Sequence, residues 1–260
     1  MLLSRQTLST TLVFCACILG ISWIQLPQLQ ALISTQQTPS LATLERDVQV
    51  ENLRLRILKQ MPSFSYDNFI GDWVYIDFLQ YFGDDEARVQ TGYSLSPEYF
   101  DVILNRDPRF LDAYLGLSVS TSLYAGMPER SVKLTNQGLK YLTPWVPAKS
   151  YYVWRYKGTD ELLFLGNAQA AKASFANAAN WASNFSDPES QNVAFISGKT
   201  AEFLEHNPDS KYARIATWGL VLQRNVDEKT QKRAIKEIEA LGGKVVKTAQ
   251  GHQIVYPPKD

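Results

Sequence analysis

An all-α architecture of helical hairpins is predicted by three observations. Cap-and-proline signals recur along the chain, at Ser96-Pro97-Glu98, Asp107-Pro108-Arg109 and Ser186-Asp187-Pro188-Glu189. Proline is tolerated in a first helical turn because the amide it lacks would have no intrahelical partner there. Between these marks the apolar residues recur at spacings of three and four, the period of one helix face. Strand-like alternation is confined to the end of the chain, where Lys244-Val245-Val246 and Gln253-Ile254-Val255-Tyr256 around Gly251 suit one short hairpin.

Taken in order, residues 1–26 read as an N-terminal membrane anchor. The run from Leu8 to Leu26 carries no charge. At about 1.5 Å per residue it extends roughly 28 Å, enough for a bilayer core. Trp23 near its end suits the interfacial belt. An uncleaved anchor is favoured over a cleaved signal peptide, because Gln25, Leu26, Pro27, Gln28 and Leu29 lack the spaced small residues of a cleavage site. A signal peptide and a buried helix of the body remain the alternatives. Cys17 lies in the run, but Phe14 stands where a lipid-attachment motif prefers a branched aliphatic residue. Arg5 precedes the run and no further charge appears before Glu45. That asymmetry puts the N-terminus in the cytoplasm and the body on the periplasmic or lumenal side of a single-pass protein. Residues 27–44, rich in Gln, Pro, Ser and Thr, read as a flexible linker.

Residues 45–243 read as the helical body. Glu45–Met61 forms a helix with Leu44, Val48, Leu55 and Leu58 near one face, and Pro62 ends it. Asp67 caps a helix that runs to Phe82, with Gly83 as its C-cap and Asp84-Asp85-Glu86 as a polar loop beyond. Ser96–Asn105, Pro108–Tyr124, Pro128–Leu142 and Ala148–Leu165 follow, the second stopped by Gly126 and the last by Gly166. Asn167 caps Ala168–Ala182, Asp187-Pro188 opens a helix toward His206, and Asn207-Pro208-Asp209 opens one to Arg224. Asp227 caps Glu228–Leu241, which Gly242-Gly243 ends, leaving residues 244–260 as a tail with the short hairpin.

The helix over 67–82 is crowded with aromatics on more than one side, among them Phe69, Trp73, Tyr75 and Phe78. A helix apolar all round is usually sandwiched between others, so a central core position is favoured. The alternative has one side packed and the other docking a partner or lipid, with Trp73 inward and Tyr75 outward. Tyr75 is therefore a candidate partner-binding residue.

Composition narrows the function. The 260 residues carry 26 basic and 26 acidic side chains, and without Arg5 the body holds 25 and 26, too balanced for a nucleic-acid binder. Both cysteines, Cys15 and Cys17, lie in the N-terminal run, so the body has no disulfide and no thiolate site. The two histidines, His206 and His252, fall on separate elements, and His206 suits a helix C-terminus as a cation. Asp67, Asp72 and Asp77 are spaced by five, which does not bring neighbours onto one helix face. Asp84-Asp85-Glu86 lacks the alternating oxygen ligands of a calcium loop. No nucleotide-binding, metalloprotease or nucleophile-elbow motif occurs in a suitable context. The expectation is no enzyme, no cofactor, no metal, no nucleic acid and no small-molecule substrate.

In Ala171-x-x-x-Phe175-x-x-Ala178, two small residues flank a large one on the second helix of a hairpin. Phe100, Ile103, Pro108, Tyr114 and Leu117, and more weakly Ser131, Thr135 and Gly138, repeat this alternation of sizes. The pattern resembles a degenerate tetratricopeptide repeat, whose stacked hairpins form a solenoid. The hairpins start near 109, 147 and 188, intervals longer than the usual repeat of about 34 residues, and Gly158 sits one position early. The body, from Asp67-Asn68-Phe69-Ile70-Gly71-Asp72-Trp73 onward, also resembles membrane-anchored repeat proteins of photosynthetic and other bacteria. By repeat analogy the concave lining would hold Asp112, Leu115, Val119 and Ser122 in one unit and Val153, Tyr156, Lys157 and Asp160 in the next. Mere packing of hairpin on hairpin is the competing role for these positions. Tyr156, Lys157 and Asp160 join Tyr75 as candidate partner-binding residues. The resemblance implies a membrane-anchored protein-binding scaffold, an assembly or stability factor for a membrane complex, photosynthetic in the closest version. Its partner would be another, membrane-associated protein. An envelope or periplasmic protein binding a peptide or polysaccharide-machinery partner is the second reading, and an enzyme with an unfamiliar carboxylate site the third.

Overall fold

Polar caps and glycines set the helix boundaries. Asn167 accepts from the Ala170 amide at 3.0 Å and opens the helix Ala168–Ala182, and Asp187 accepts from the Ser190 amide at 3.0 Å and opens the helix Pro188–His206. Gly126 and Gly166 end their helices in the left-handed conformation, at φ 70° and 62°. The computed structural model describes residues 5–34, 40–207, 210–223, 228–248 and 251–258, and side chains are not described at 5–12, 28–34, 220, 229 and 248. Among the described residues the chain is mostly helical. The elements are α1 (Arg5–Ser34), α2 (Leu41–Gln60), α3 (Asp67–Gly83), α4 (Asp85–Thr91), α5 (Ser96–Arg106), α6 (Leu111–Leu117), a π-helical segment (Ser118–Tyr124), α7 (Pro128–Gly138) with a 3-10 turn to Tyr141, α8 (Tyr151–Leu163), α9 (Ala168–Ala182), α10 (Pro188–His206), α11 (Lys211–Gln223) and α12 (Glu228–Ala240). The hairpin of β1 (Lys244–Thr248) and β2 (Gly251–Val255) is antiparallel, with Val246 opposite Gln253.

The chain divides into two units, Met1–Asp47 and Val48–Asp260. In the first, α1 runs through Pro27 to Ser34, and α2 opens at Leu41. The expected flexible linker over 27–44 is thus helical at both ends, while 35–39 lie outside the described residues. An interior proline costs about 3 kcal/mol, but Gln, Leu and Ala around it are strong helix formers. The run from Leu8 to Leu26 begins outside the described side chains. Among the described residues, no helix is long and apolar enough to cross a membrane.

In the second unit a core of Leu55, Val74, Phe78, Phe100, Ile103 and Tyr114 joins α2, α3, α5 and α6. Tyr114 is buried and its hydroxyl donates to the Pro108 carbonyl at 2.6 Å. α7 can approach it only through Gly138, where an added Cβ would fall 1.9 Å from the tyrosine oxygen. α8 and α9 pack as a hairpin in the same manner. A Cβ on Gly158 would meet the Phe175 ring at 3.1 Å, so the glycine seats the ring, with Ala171 and Ala178 fully buried beside it. Farther along, Ile215, Trp218 and Ile238 of α11 and α12 form a separate core, against which Ile254 of the hairpin packs.

Several helix starts differ from the sequence reading. Asp107 accepts from the Arg109 amide at 2.9 Å in a turn, and α6 begins only at Leu111. Leu95, not Ser96, is the cap of α5, and Tyr66, not Asp67, precedes α3. Asp67 instead accepts from the Ser63 hydroxyl at 2.8 Å, four residues back, and from Arg106 at 3.0 Å, a partner far enough away in sequence to be invisible locally. Gly83 remains within α3, and Asp84 caps α4 where a loop was expected. The caps expected at Pro208, Asp209 and Asp227 lie outside the described residues. Ser210 does accept from the Ala213 amide at 3.1 Å ahead of α11.

Candidate functional site

The four candidate partner residues separate into two pairs. Tyr75 and Tyr156 are half-buried, whereas Lys157 and Asp160 are buried, at 9% and 1% exposure. The two charged residues therefore differ from their expected place on a solvent-facing lining. Their charges are met from inside. The Lys157 ammonium donates to Glu161 Oε1 at 2.7 Å and to the Ser174 hydroxyl at 3.0 Å, and Ser174 donates to Glu161 Oε2 at 2.6 Å. A buried pair completed in this way avoids the cost of an unpaired buried charge.

Asp160 sits at the meeting of three elements. Ser118 of the π-helical segment donates to Oδ1 at 2.7 Å, and Ser131 of α7 donates to Oδ2 at 2.6 Å. Burial pushes the carboxyl up to about 7, although the hydroxyls of Ser118, Ser131 and Ser122 pull it down, and the charge of Glu161 adds to the rise. Ser122 exerts its pull from outside hydrogen-bond geometry. The π-helical turn carries Ser120, Thr121 and Ser122 inward together. Such turns are frequent at functional positions. Here the Ser118 hydroxyl bonds the carboxylate that links α7 and α8 to the segment, while Ser120 donates back to the Gly116 carbonyl at 2.7 Å.

Tyr75 of α3 and Tyr156 of α8 pack on one core with Phe110 and Leu111, the residues just before Asp112 at the start of α6. Both tyrosine hydroxyls are raised, first by burial and then by the charge of Asp112. Asp112 and Leu115 are exposed, Val119 is half-buried, and Ser122 and Val153 are buried. Of the expected lining, then, Asp112, Leu115, Tyr156 and, in part, Val119 reach solvent, and Tyr75 joins them from another helix. Tyr75 is fixed edge-on against Phe110, with ring centroids 4.7 Å apart, and Tyr152 stacks beside Tyr156 at 6.1 Å. The arrangement offers an apolar, aromatic surface with one carboxylate at its edge.

α3 is neither wholly core nor exposed on the expected side. Gly71, Val74 and Phe78 are buried, and Tyr75, Tyr81 and Phe82 pack against the same core. Trp73 points outward at 56% exposure and Phe69 at 65%. Trp73, which the docking alternative placed inward, is thus exposed, and Tyr75, which it placed outward, is half-buried. The reason lies on α5 and at Phe110, which claim the side of α3 that carries Tyr75 and Phe78.

Two further acids are occupied. Asp77 pairs with Arg54, and Asp84 caps α4 through the Ala87 amide at 3.2 Å. His206 Nδ1 lies 2.9 Å from the Glu202 carbonyl at the end of α10, and His252 sits on β2. Among the described residues, no three His, Cys, Asp or Glu side chains are grouped to hold a metal ion. The sequence missed Ser118 and Ser131 as carboxylate partners. Ser131 appeared in it only as a small residue, and nothing local signals a bond across so many residues.

No protein-family model, curated protein or solved structure matches the chain.

Proposed function

We propose that this protein is a membrane-held helical scaffold that binds another protein through the surface around Asp112. The observation that carries the reading is the packing of half-buried Tyr75 and Tyr156, from separate helices, on one core with Phe110 and Leu111, next to the exposed Asp112. Half-buried tyrosines offer broad apolar area at small entropic cost, together with one polar handle. Asp112 at the edge favours a partner that carries a basic group beside an apolar anchor. The hairpins support the reading. α8, α9 and α10 pack in sequence through small residues, with Gly158 seating Phe175, as the resemblance to degenerate tetratricopeptide repeats implies. The uncharged run from Leu8 to Leu26 supports attachment to a membrane, with the body on the periplasmic or lumenal side. Assembly or stabilisation of a membrane complex is the role that suits such a scaffold, and a photosynthetic complex is the version the sequence resemblance favours.

The binding surface is tested with the full chain, recovered from gently solubilised membranes. The wild type should bring down one partner in constant ratio. Asp112→Arg, at an exposed position, should lose it while the melting temperature stays within a few degrees of wild type. Recovery indifferent to Asp112→Arg and to Tyr156→Ala would remove this surface from the partner interface.

A further inference from the structure

α2 and α3 each carry an apolar stripe that faces away from the core they build. On α2, Leu55 is buried and Leu58 packs on the same core, while Val50, Leu53 and Ile57 are exposed. On α3, Val74 and Phe78 turn inward, while Phe69, Trp73 and Ile76 are exposed at helical spacing. The ion pair of Arg54 and Asp77 ties the two helices between these stripes. This is a different side of α3 from the one that presents Tyr75. Scattered exposed apolar residues need no explanation, but a stripe on each of two adjoining helices marks an interaction surface.

We propose that this face is a second contact with the membrane, in which the α2–α3 hairpin lies on the bilayer with Phe69, Trp73 and Ile76 at the boundary of headgroups and acyl chains. The proposal rests on the membrane-held reading above. Three features select lipid as the occupant. The stripe of Phe69, Trp73, Ile76 and Gln80 on α3 carries no charge; Asp72 stands to one side of it, and the mutually neutralising pair of Arg54 and Asp77 stands to the other, between the two helices. Charges at the margins and aromatics between them suit an interfacial helix. Tryptophan is the side chain most at home at that level, since its ring is apolar and its N–H reaches the wet zone. Covalent reach supplies the third. A chain extends at most about 3.3–3.6 Å per residue, so residues 35–40 keep the start of α2 within about 25 Å of the end of α1. A helix so tethered meets a bilayer surface at high local concentration, and a weak apolar contact then suffices.

The test uses the full chain in vesicles of phosphatidylcholine and phosphatidylglycerol. Cys15→Ser and Cys17→Ser remove the two native thiols, and a nitroxide is placed singly on Ile76→Cys, Leu53→Cys, Leu19→Cys or Asn136→Cys. Molecular oxygen concentrates in lipid, and a nickel chelate stays in water. At Ile76 and Leu53 the ratio of oxygen to nickel relaxation should exceed that at exposed Asn136 several-fold, approaching the ratio at Leu19. If Leu19 is lipid-like while Ile76 and Leu53 match Asn136, the lipid contact is overturned and the membrane-held reading stands. If Ile76 and Leu53 are shielded from both reagents, a second copy of the chain covers the face and the lipid contact is overturned. If Leu19 also matches Asn136, the membrane-held reading fails and this proposal fails with it.

Discussion

Phe175→Ala is expected to lower the stability of the protein by about 3–5 kcal/mol, the usual cost of removing a buried aromatic ring. The ring is 7% exposed and lies on Gly158, with Leu162, Ala171 and Leu204 in the same cluster. None of these neighbours can collapse into the space left behind. Gly158 and Ala171 have almost no side chain to move, and Leu162 and Leu204 are held by their own helices. The loss should therefore fall at the upper end, and Phe175→Leu should recover most of it. Denaturant unfolding measures both. A cost for the alanine variant below about 1 kcal/mol would mean that α8 and α9 do not close on this ring.

The second large effect centres on Asp160. Its raised pKa means that the folded state holds the proton over a range in which the unfolded chain has released it. The stabilisation is complete below the ordinary aspartate value, near 4, and declines as pH rises toward about 7, the folded value. Wild-type stability should therefore lose on the order of 4 kcal/mol relative to Asp160→Asn between roughly pH 4 and pH 8. Asparagine keeps one acceptor for Ser118 and cannot ionise, so its stability lacks this slope. Asp160→Leu removes both acceptors, leaves the Ser118 and Ser131 hydroxyls in an apolar setting, and should cost about 2–5 kcal/mol. Parallel stability–pH curves for the wild type and Asp160→Asn would contradict the buried, proton-holding site.

What was legible in the sequence was local. Asn167 and Asp187 cap helices through amides three residues away, and Gly126 and Gly166 stop helices through their own backbone conformation. The short valine- and isoleucine-bearing stretches at 244–248 and 251–255 pair within one hairpin, Val245 opposite Ile254. The partnership of Gly158 and Phe175 also left a trace, because close helices need a small residue opposite a large one.

What was not legible depends on distant residues. Lys157 and Asp160 look like surface charges on α8; Glu161 pairs with Lys157 from within the helix, but Ser174, Ser118 and Ser131, on three other elements, complete the buried hydrogen bonding. α3 has apolar residues on every side, so its periodicity does not say which side turns in. α5 and Phe110 decide that, and they bury the side carrying Phe78 while leaving Trp73 outside. The π-helical turn at Ser118–Tyr124 moves Ser122 off the lining by changing the helical count. No composition signal announces that change. At the site itself the sequence placed Asp112 and Tyr156 on the lining of successive units and Tyr75 on a helix read separately, and the fold packs the two tyrosines on one core.

The account depends most on attachment of the chain through its N-terminal segment, and fractionation of the full-length protein in its native membranes tests that directly. The account predicts that the chain stays in the membrane pellet after an alkaline, high-salt wash, that a chain beginning near Ala42 is released, and that the intact mass retains the residues before Pro27. Release of the full chain by the wash, or a mature protein that begins near Ala31, would contradict it.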